Sequence, residues 1–303
     1  MTAEKIEKHA DVFAGLEPAM PRAPDDIARD EGYVRASDGH ELFWQSWVPA
    51  DGEIHGNIAL MHGFGEHSTR YHHVASAFCR LGYGVFAIDA RGHGRSSGKR
   101  GFIESFQQSK NDYEILVKKA GTLSDGPTFC LGHSNGGLVS LHHAMDGATK
   151  PNCYAITSPF CGFQVHVPAV KAALGNVMSK VYPGLALPTE LDAAHLSHNQ
   201  DVVRKYERDP LVLKIATARW FTETKKAHAE ALARAKEIET PFLWLVAGAD
   251  EVADPKAAER VYHHMGVVDR ELEIFPDLYH EVLNEDVWSE IVLSIADWFE
   301  RHA

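Results

Sequence analysis

Cysteine is scarce in this chain, with four in 303 residues: Cys79, Cys130, Cys153 and Cys161. None forms a C-x-x-C pair, and several lie in apolar runs. They read as buried free thiols of a reducing compartment, the cytoplasm, and not as a disulfide framework. Long apolar runs are also missing. No stretch reaches the ~18 apolar residues of a transmembrane helix. The opening segment 1–8 is polar and charged and lacks the apolar centre of a secretory signal. Basic clusters are absent too: Lys99-Arg100 is the most basic local feature, and the net charge is −12. That excludes nucleic acid as a partner, because phosphate binding needs clustered Lys and Arg. Histidine is plentiful, at 19 residues, but metal-ligand spacing is not. There is no H-E-x-x-H and no Cys/His ligand pattern. The adjacent pairs His72-His73, His142-His143 and His263-His264 diverge on a helix. His62, His67 and His93 read with the rest as surface or hydrogen-bonding residues. No metal and no cofactor are expected.

What is present is an ordinary globular composition, 45% hydrophobic and 24% charged. A chain of this length buries enough apolar surface to fold without staples. Segment 1–32 is charged, carries Pro18, Pro21 and Pro24, and reads as an N-terminal extension. Strands are expected at 33–36 and 41–48, joined by an Asp38-Gly39 turn, and at 57–61. After these, short, nearly continuous apolar runs at 84–88, 128–131, 154–157, 242–246 and 271–275 alternate with helical stretches at 71–81, 105–122, 136–145, 255–265 and 286–301. Such runs suit buried parallel strands. The alternation implies an α/β fold with a mostly parallel, eight-stranded, doubly wound sheet flanked by helices. From 161 to 239 no convincing strand is seen. Val167, Val170, Leu174, Val177, Met178 and Val181 recur at helical spacing, and a long helix is expected over about 210–236. That is too long for a simple connection. It reads as a helical cap inserted into a core made of 33–160 and 240–303.

Gly132-His133-Ser134-Asn135-Gly136 matches G-x-S-x-G and lies directly between a strand and a helix. A nucleophile elbow requires that context, so Ser134 is the expected nucleophile. Serine needs a base, and this fold places the acid and then the histidine later in the chain. His280 follows the last strand, just before the final helix, and is the expected base. Asp250 sits nearest the end of the strand at 242–246 and is the expected acid. Glu251 and Asp254 are the alternatives, Asp254 reading instead as an N-cap ahead of Pro255. A tetrahedral intermediate needs backbone N–H donors. The amide of Asn135 should supply one, and that of Phe64, in His62-Gly63-Phe64-Gly65 after the strand at 57–61, the other.

These residues in this order resemble a known family. His62-Gly63-Phe64-Gly65-Glu66-His67-Ser68 with Arg70-Tyr71 looks like the oxyanion loop of monoacylglycerol lipases and bacterial lysophospholipases, α/β hydrolases of the S33 type. Asp89-Ala90-Arg91-Gly92-His93-Gly94-Arg95-Ser96, with Gly98 and Arg100-Gly101, is similar to the family's next signature. Asp209-Pro210-Leu211, Asp250 and His280 follow in the family's order, over roughly 33–302. The resemblance implies a triad of Ser134, Asp250 and His280, an oxyanion hole of the Phe64 and Asn135 amides, an acyl-chain tunnel under the cap, and peripheral docking at a membrane. The family usually has Met or Gln after the serine and often a small residue in the loop; Asn135 and Phe64 depart from both. Segment 89–94 is read as structural. The expected activity is hydrolysis of a lipid carboxylic ester of monoacylglycerol or lysophospholipid type. An amide or peptide hydrolase on the same fold, and a binding member that has lost catalysis, are the alternatives.

Overall fold

A computed structural model describes residues 7, 9–164, 169–189 and 191–303, without the side chains of 169–174. The opening segment 1–8 lies outside the described residues except for Glu7. So do Val167 and the side chains of Val170 and Leu174.

Eight strands form the main sheet: β1 (Ile27–Arg35), β2 (Glu41–Pro49), β3 (Gly56–Met61), β4 (Tyr83–Ile88), β5 (Thr128–His133), β6 (Cys153–Thr157), β9 (Phe242–Ala247) and β10 (Arg270–Phe275). Their order is β1-β2-β4-β3-β5-β6-β9-β10. β1 and β2 pair antiparallel, as do β2 and β4, and every other pair is parallel. β3, β4, β6 and β9 are buried along their whole length, which is why they read as nearly continuous apolar runs. β1 starts at Ile27, not at 33. Residues 28–31 are exposed on this edge strand, so their charge gave no alternating signal, and they belong to the sheet and not to the lead-in.

The helices are α1 (Ala10–Phe13), α2 (His72–Arg80), α3 (Phe106–Ala120), α4 (Asn135–Asp146), α5 (Ala169–Val181), α6 (Gln200–Arg208), α7 (Ala218–Arg234), α8 (Pro255–His264) and α9 (Trp288–Arg301). Strand pleating sends alternate side chains to opposite faces, so the sheet carries two cores. Ile58 and Leu60 pack with Phe78 of α2 and Ile291, Ile295 and Phe299 of α9. Ala59 and Met61 pack on the other side with Tyr113 of α3, Leu138 of α4 and Val261 of α8. The four free, buried cysteines divide evenly: Cys79 and Cys153 lie in the first core, Cys130 and Cys161 in the second.

The stretch between β6 and β9 contains α5, α6 and α7 and one feature absent from the sequence reading. β7 (Ala186–Pro188) and β8 (Ile215–Thr217) form a small antiparallel ribbon. Each is three residues long and β7 is fully exposed, too short and too solvated to show an apolar pattern. The helix expected over about 210–236 begins only at Ala218. Thr217 ends the ribbon and caps the helix, its hydroxyl accepting from Trp220 N–H.

The direction of strand addition reverses around β3, with β4 on one side of it and β5 on the other, all three parallel. At such a switch point the strands' carboxyl ends open a crevice. The loops after β3, β5, β6, β9 and β10 all leave from that edge.

Candidate active site

β5 turns into α4 at Ser134, whose backbone has φ 51° and ψ −116°. A non-glycine residue adopts positive φ only when its surroundings impose it. Ser134 N–H donates to Thr157 O (2.9 Å), and Ser134 O accepts from Leu138 N–H (3.1 Å) and Phe160 N–H (3.0 Å). Two glycines make room for the turn. A Cβ on Gly136 would collide with the Met61 carbonyl, and one on Gly132 would lie 2.5 Å from Ser140 Oγ.

His280 Nε2 lies 2.9 Å from Ser134 Oγ, and His280 Nδ1 lies 2.7 Å from Asp250 Oδ2. The second Asp250 oxygen accepts from Val252 N–H (2.8 Å) and Ala253 N–H (2.9 Å). The aspartate is thereby fixed with one oxygen free for the imidazole. All three side chains are buried. Burial works against a charged imidazole, but the Asp250 carboxylate overrides it and the His280 pKa is raised, with Glu281 and Glu66 adding to the effect. The His133 ring lies 4.9 Å from the His280 ring. Burial pushes its pKa down to about 4. Of the two alternatives to Asp250 as the acid, Asp254 caps α8 by accepting from Lys256 N–H (2.9 Å), and Glu251 is exposed.

The loop after β3 is pinned at every point around Phe64. Ala90 N–H donates to His62 Nε2 (2.9 Å), so the ring's Nδ1–H faces Gly63 O (2.7 Å). Gly63 N–H donates to Glu66 Oε1 (2.6 Å), and Gly65 O accepts from Leu213 N–H (2.7 Å). Asp89 accepts from Ser68 N–H and Arg95 N–H at 2.8 Å each, a structural role.

Sequence reasoning missed the group that ties this loop to His280. Glu66 also accepts from Tyr71 OH (2.8 Å) and Arg70 Nη1 (2.8 Å). Arg70 then forms a two-pronged pair with Glu281 at 2.6 and 2.7 Å. Burial works against the Glu66 carboxylate, yet Arg70 holds its pKa down to about 2. The i,i+4 spacing of Glu66 and Arg70 was visible. Their partner Glu281, 211 residues beyond Arg70, was not. Of the histidines noted in the sequence, His263 and His264 are exposed, whereas the others are buried with partners of their own, among them His67 with Asp209 (2.9 Å), His72 with Trp47 Nε1 (3.0 Å), His73 with Leu283 O (2.8 Å) and His93 with Arg91 O (3.0 Å).

The family model for serine aminopeptidases of the S33 type (Hydrolase_4) matches residues 52–287. The chain belongs to this family. It is a serine hydrolase. Among curated relatives, a monoacylglycerol lipase of Mycolicibacterium smegmatis is 31% identical over 90% of this chain and 98% of its own. An uncharacterized abhydrolase domain-containing protein of Dictyostelium discoideum is 34% identical over 88% of this chain, which spans only 28% of that protein. Among solved structures, a monoacylglycerol lipase of Paleococcus ferrophilus is 28% identical with a TM-score of 0.75, covering 91% of this chain and 99% of that one.

Proposed function

We propose that this hydrolase cleaves lipid carboxylic esters of the monoacylglycerol or lysophospholipid type through an acyl-enzyme on Ser134. The observation that carries the reading is the continuous run of contacts from Asp250 through His280 to Ser134 Oγ. The monoacylglycerol lipases among its relatives support the substrate class. In this reading Ser134 Oγ bonds to the acyl carbonyl carbon while His280 Nε2 takes its proton. The imidazolium keeps its Nδ1–H on Asp250, which fixes the tautomer. The oxyanion accepts from the Phe64 and Asn135 amides, each worth roughly 2.7–4 kcal/mol in comparable sites. Gly63 N–H is already taken by Glu66, which leaves the amide of Phe64 as this loop's donor in the reading. The C–O bond breaks, the alcohol leaves with the His280 proton, and water repeats the sequence on the acyl-enzyme. Residues 161–239 act as a cap over a core of 27–160 and 240–303, the start moved from 33 by the first residues of β1.

The family description favours a second reading, an aminopeptidase. An aminopeptidase needs a free carboxylate to receive the substrate amine, and Glu66 and Glu281 beside the triad are already engaged by Arg70. Ser134→Ala should lower turnover of monoacylglycerols by on the order of 10⁴-fold or more. Turnover near that of the unaltered enzyme would sink the ester reading. Faster turnover of aminoacyl amides than of monoacylglycerols would favour the second.

Peripheral membrane contact belongs to the same proposal. Val177, Val181, Tyr182 and Leu187 are each more than half exposed on the cap, and apolar side chains grouped in this way mark interaction surfaces.

A further inference from the structure

Phe64 and Phe160 both leave the chain close to the nucleophile. Phe64 follows Gly63, where an added Cβ would lie 3.0 Å from Ser134 Cβ. Phe160 donates its own N–H to Ser134 O. One cap side chain reaches both. Trp220, near the start of α7, stacks on Phe64 with ring centroids 3.7 Å apart and planes at 29°. It also lies nearly parallel to Phe160, at 12° and 6.3 Å. The stack is braced from behind. His93 packs edge-on against Phe64 at 4.9 Å, and the tip of the Phe64 ring reaches Gly101. Phe163 and His228 pack edge-on against Phe160 at 4.9 and 5.1 Å. Trp220 and Phe160 are buried.

An acyl chain passing between two walls makes a carbon contact of about 3.5–4 Å with each, so the walls must stand roughly 7–8 Å apart. Neither separation on the Trp220 ring reaches that. We infer that Trp220, stacked on Phe64 and nearly parallel to Phe160, blocks the acyl side of the site, so that Trp220 and Phe64 restrict this hydrolase to esters of short acyl chains. The inference rests on Ser134 as the ester nucleophile and deepens that reading by naming the acyl class. A small residue at position 64 would leave a groove where the ring now sits. That assigns a role to the departure of Phe64 from the small residue the resemblance often implies there.

The test is a series of p-nitrophenyl esters from acetate to palmitate, run on the unaltered chain, Trp220→Ala, Trp220→Leu, Phe64→Ala and the Phe64→Ala/Trp220→Ala double variant. The unaltered enzyme should work best on butyrate or hexanoate. Each single alanine variant should raise the laurate-to-butyrate ratio of kcat/KM by roughly tenfold or more. The double variant should gain less than the product of the two, because both changes open the same space. An unchanged ratio in both single variants overturns the inference. So does a shift seen only when the alcohol is varied at constant acyl chain, since it would place the stack on the leaving-group side. Labelling by a fluorophosphonate separates the two levels. A labelled enzyme with an unchanged ratio refutes the acyl block alone, whereas an unlabelled unaltered enzyme refutes Ser134 as the nucleophile. Trp220→Leu keeps apolar volume and serves if the alanine variant does not fold.

Discussion

Ser134 holds a backbone conformation that costs a non-glycine residue about 1–3 kcal/mol, and the bonds to Thr157, Leu138 and Phe160 hold it there. That strain was legible in the sequence, because small residues on both sides of a serine after a strand have few other uses. Asp250 and His280 were legible by position, each in the first loop after its strand. Glu66, Arg70 and Glu281 were not, since an ion pair between loops far apart in sequence leaves no periodic trace. Their chemistry has a measurable result. His280 must be neutral to accept the serine proton, so activity falls as pH drops through its raised pKa. Glu66→Gln removes a negative charge that favours the imidazolium. The acid limb of kcat/KM should therefore move to lower pH, and kcat at neutral pH should fall about tenfold as the Gly63 anchor weakens. A pH–rate profile whose acid limb stays in place would show that Glu66 has no electrostatic hold on His280.

At the scale of elements, buried strands declared themselves and exposed ones did not. β3, β4, β6 and β9 are buried throughout and nearly all apolar, whereas residues 28–31 of β1 and all of β7 face solvent. The cap was read as helical because its apolar residues recur at helical spacing, a pattern that cannot register a three-residue ribbon. The later part of the stretch between β6 and β9 is fastened to the loop carrying Phe64: His67 holds Asp209, Gly65 O holds Leu213 N–H, and Arg70 lies 4.9 Å over the Tyr206 ring. The exposed apolar residues belong to the earlier part, from α5 to β7. A change there can be made without touching the catalytic loops. Val181→Asp should reduce flotation with zwitterionic liposomes several-fold, because a charge placed in the apolar interface is costly, while hydrolysis of a water-soluble short ester stays the same. Flotation equal to that of the unaltered chain would exclude this face as the contact.

Over the whole molecule, topology does what no single segment could. Parallel pairing brings the loops after β3, β5, β9 and β10 to one edge, and the switch in strand order at β3 opens a crevice there; their sequence order already implied it. How the two faces would divide the core between them was not readable, since a wholly buried strand is apolar on both sides. The cysteines report on that division. Burial raises the thiol pKa of all four, that of Cys130 to about 12, so the reactive thiolate is suppressed while the chain is folded. With two thiols in each core, alkylation becomes a chemical clock for unfolding. Because both cores share one sheet, iodoacetamide in mild denaturant should modify all four at a common rate, followed by mass spectrometry of the intact chain. If molecules carrying two labels accumulate instead, the two faces of the sheet come apart separately, and the positions of those labels name the face that opens first.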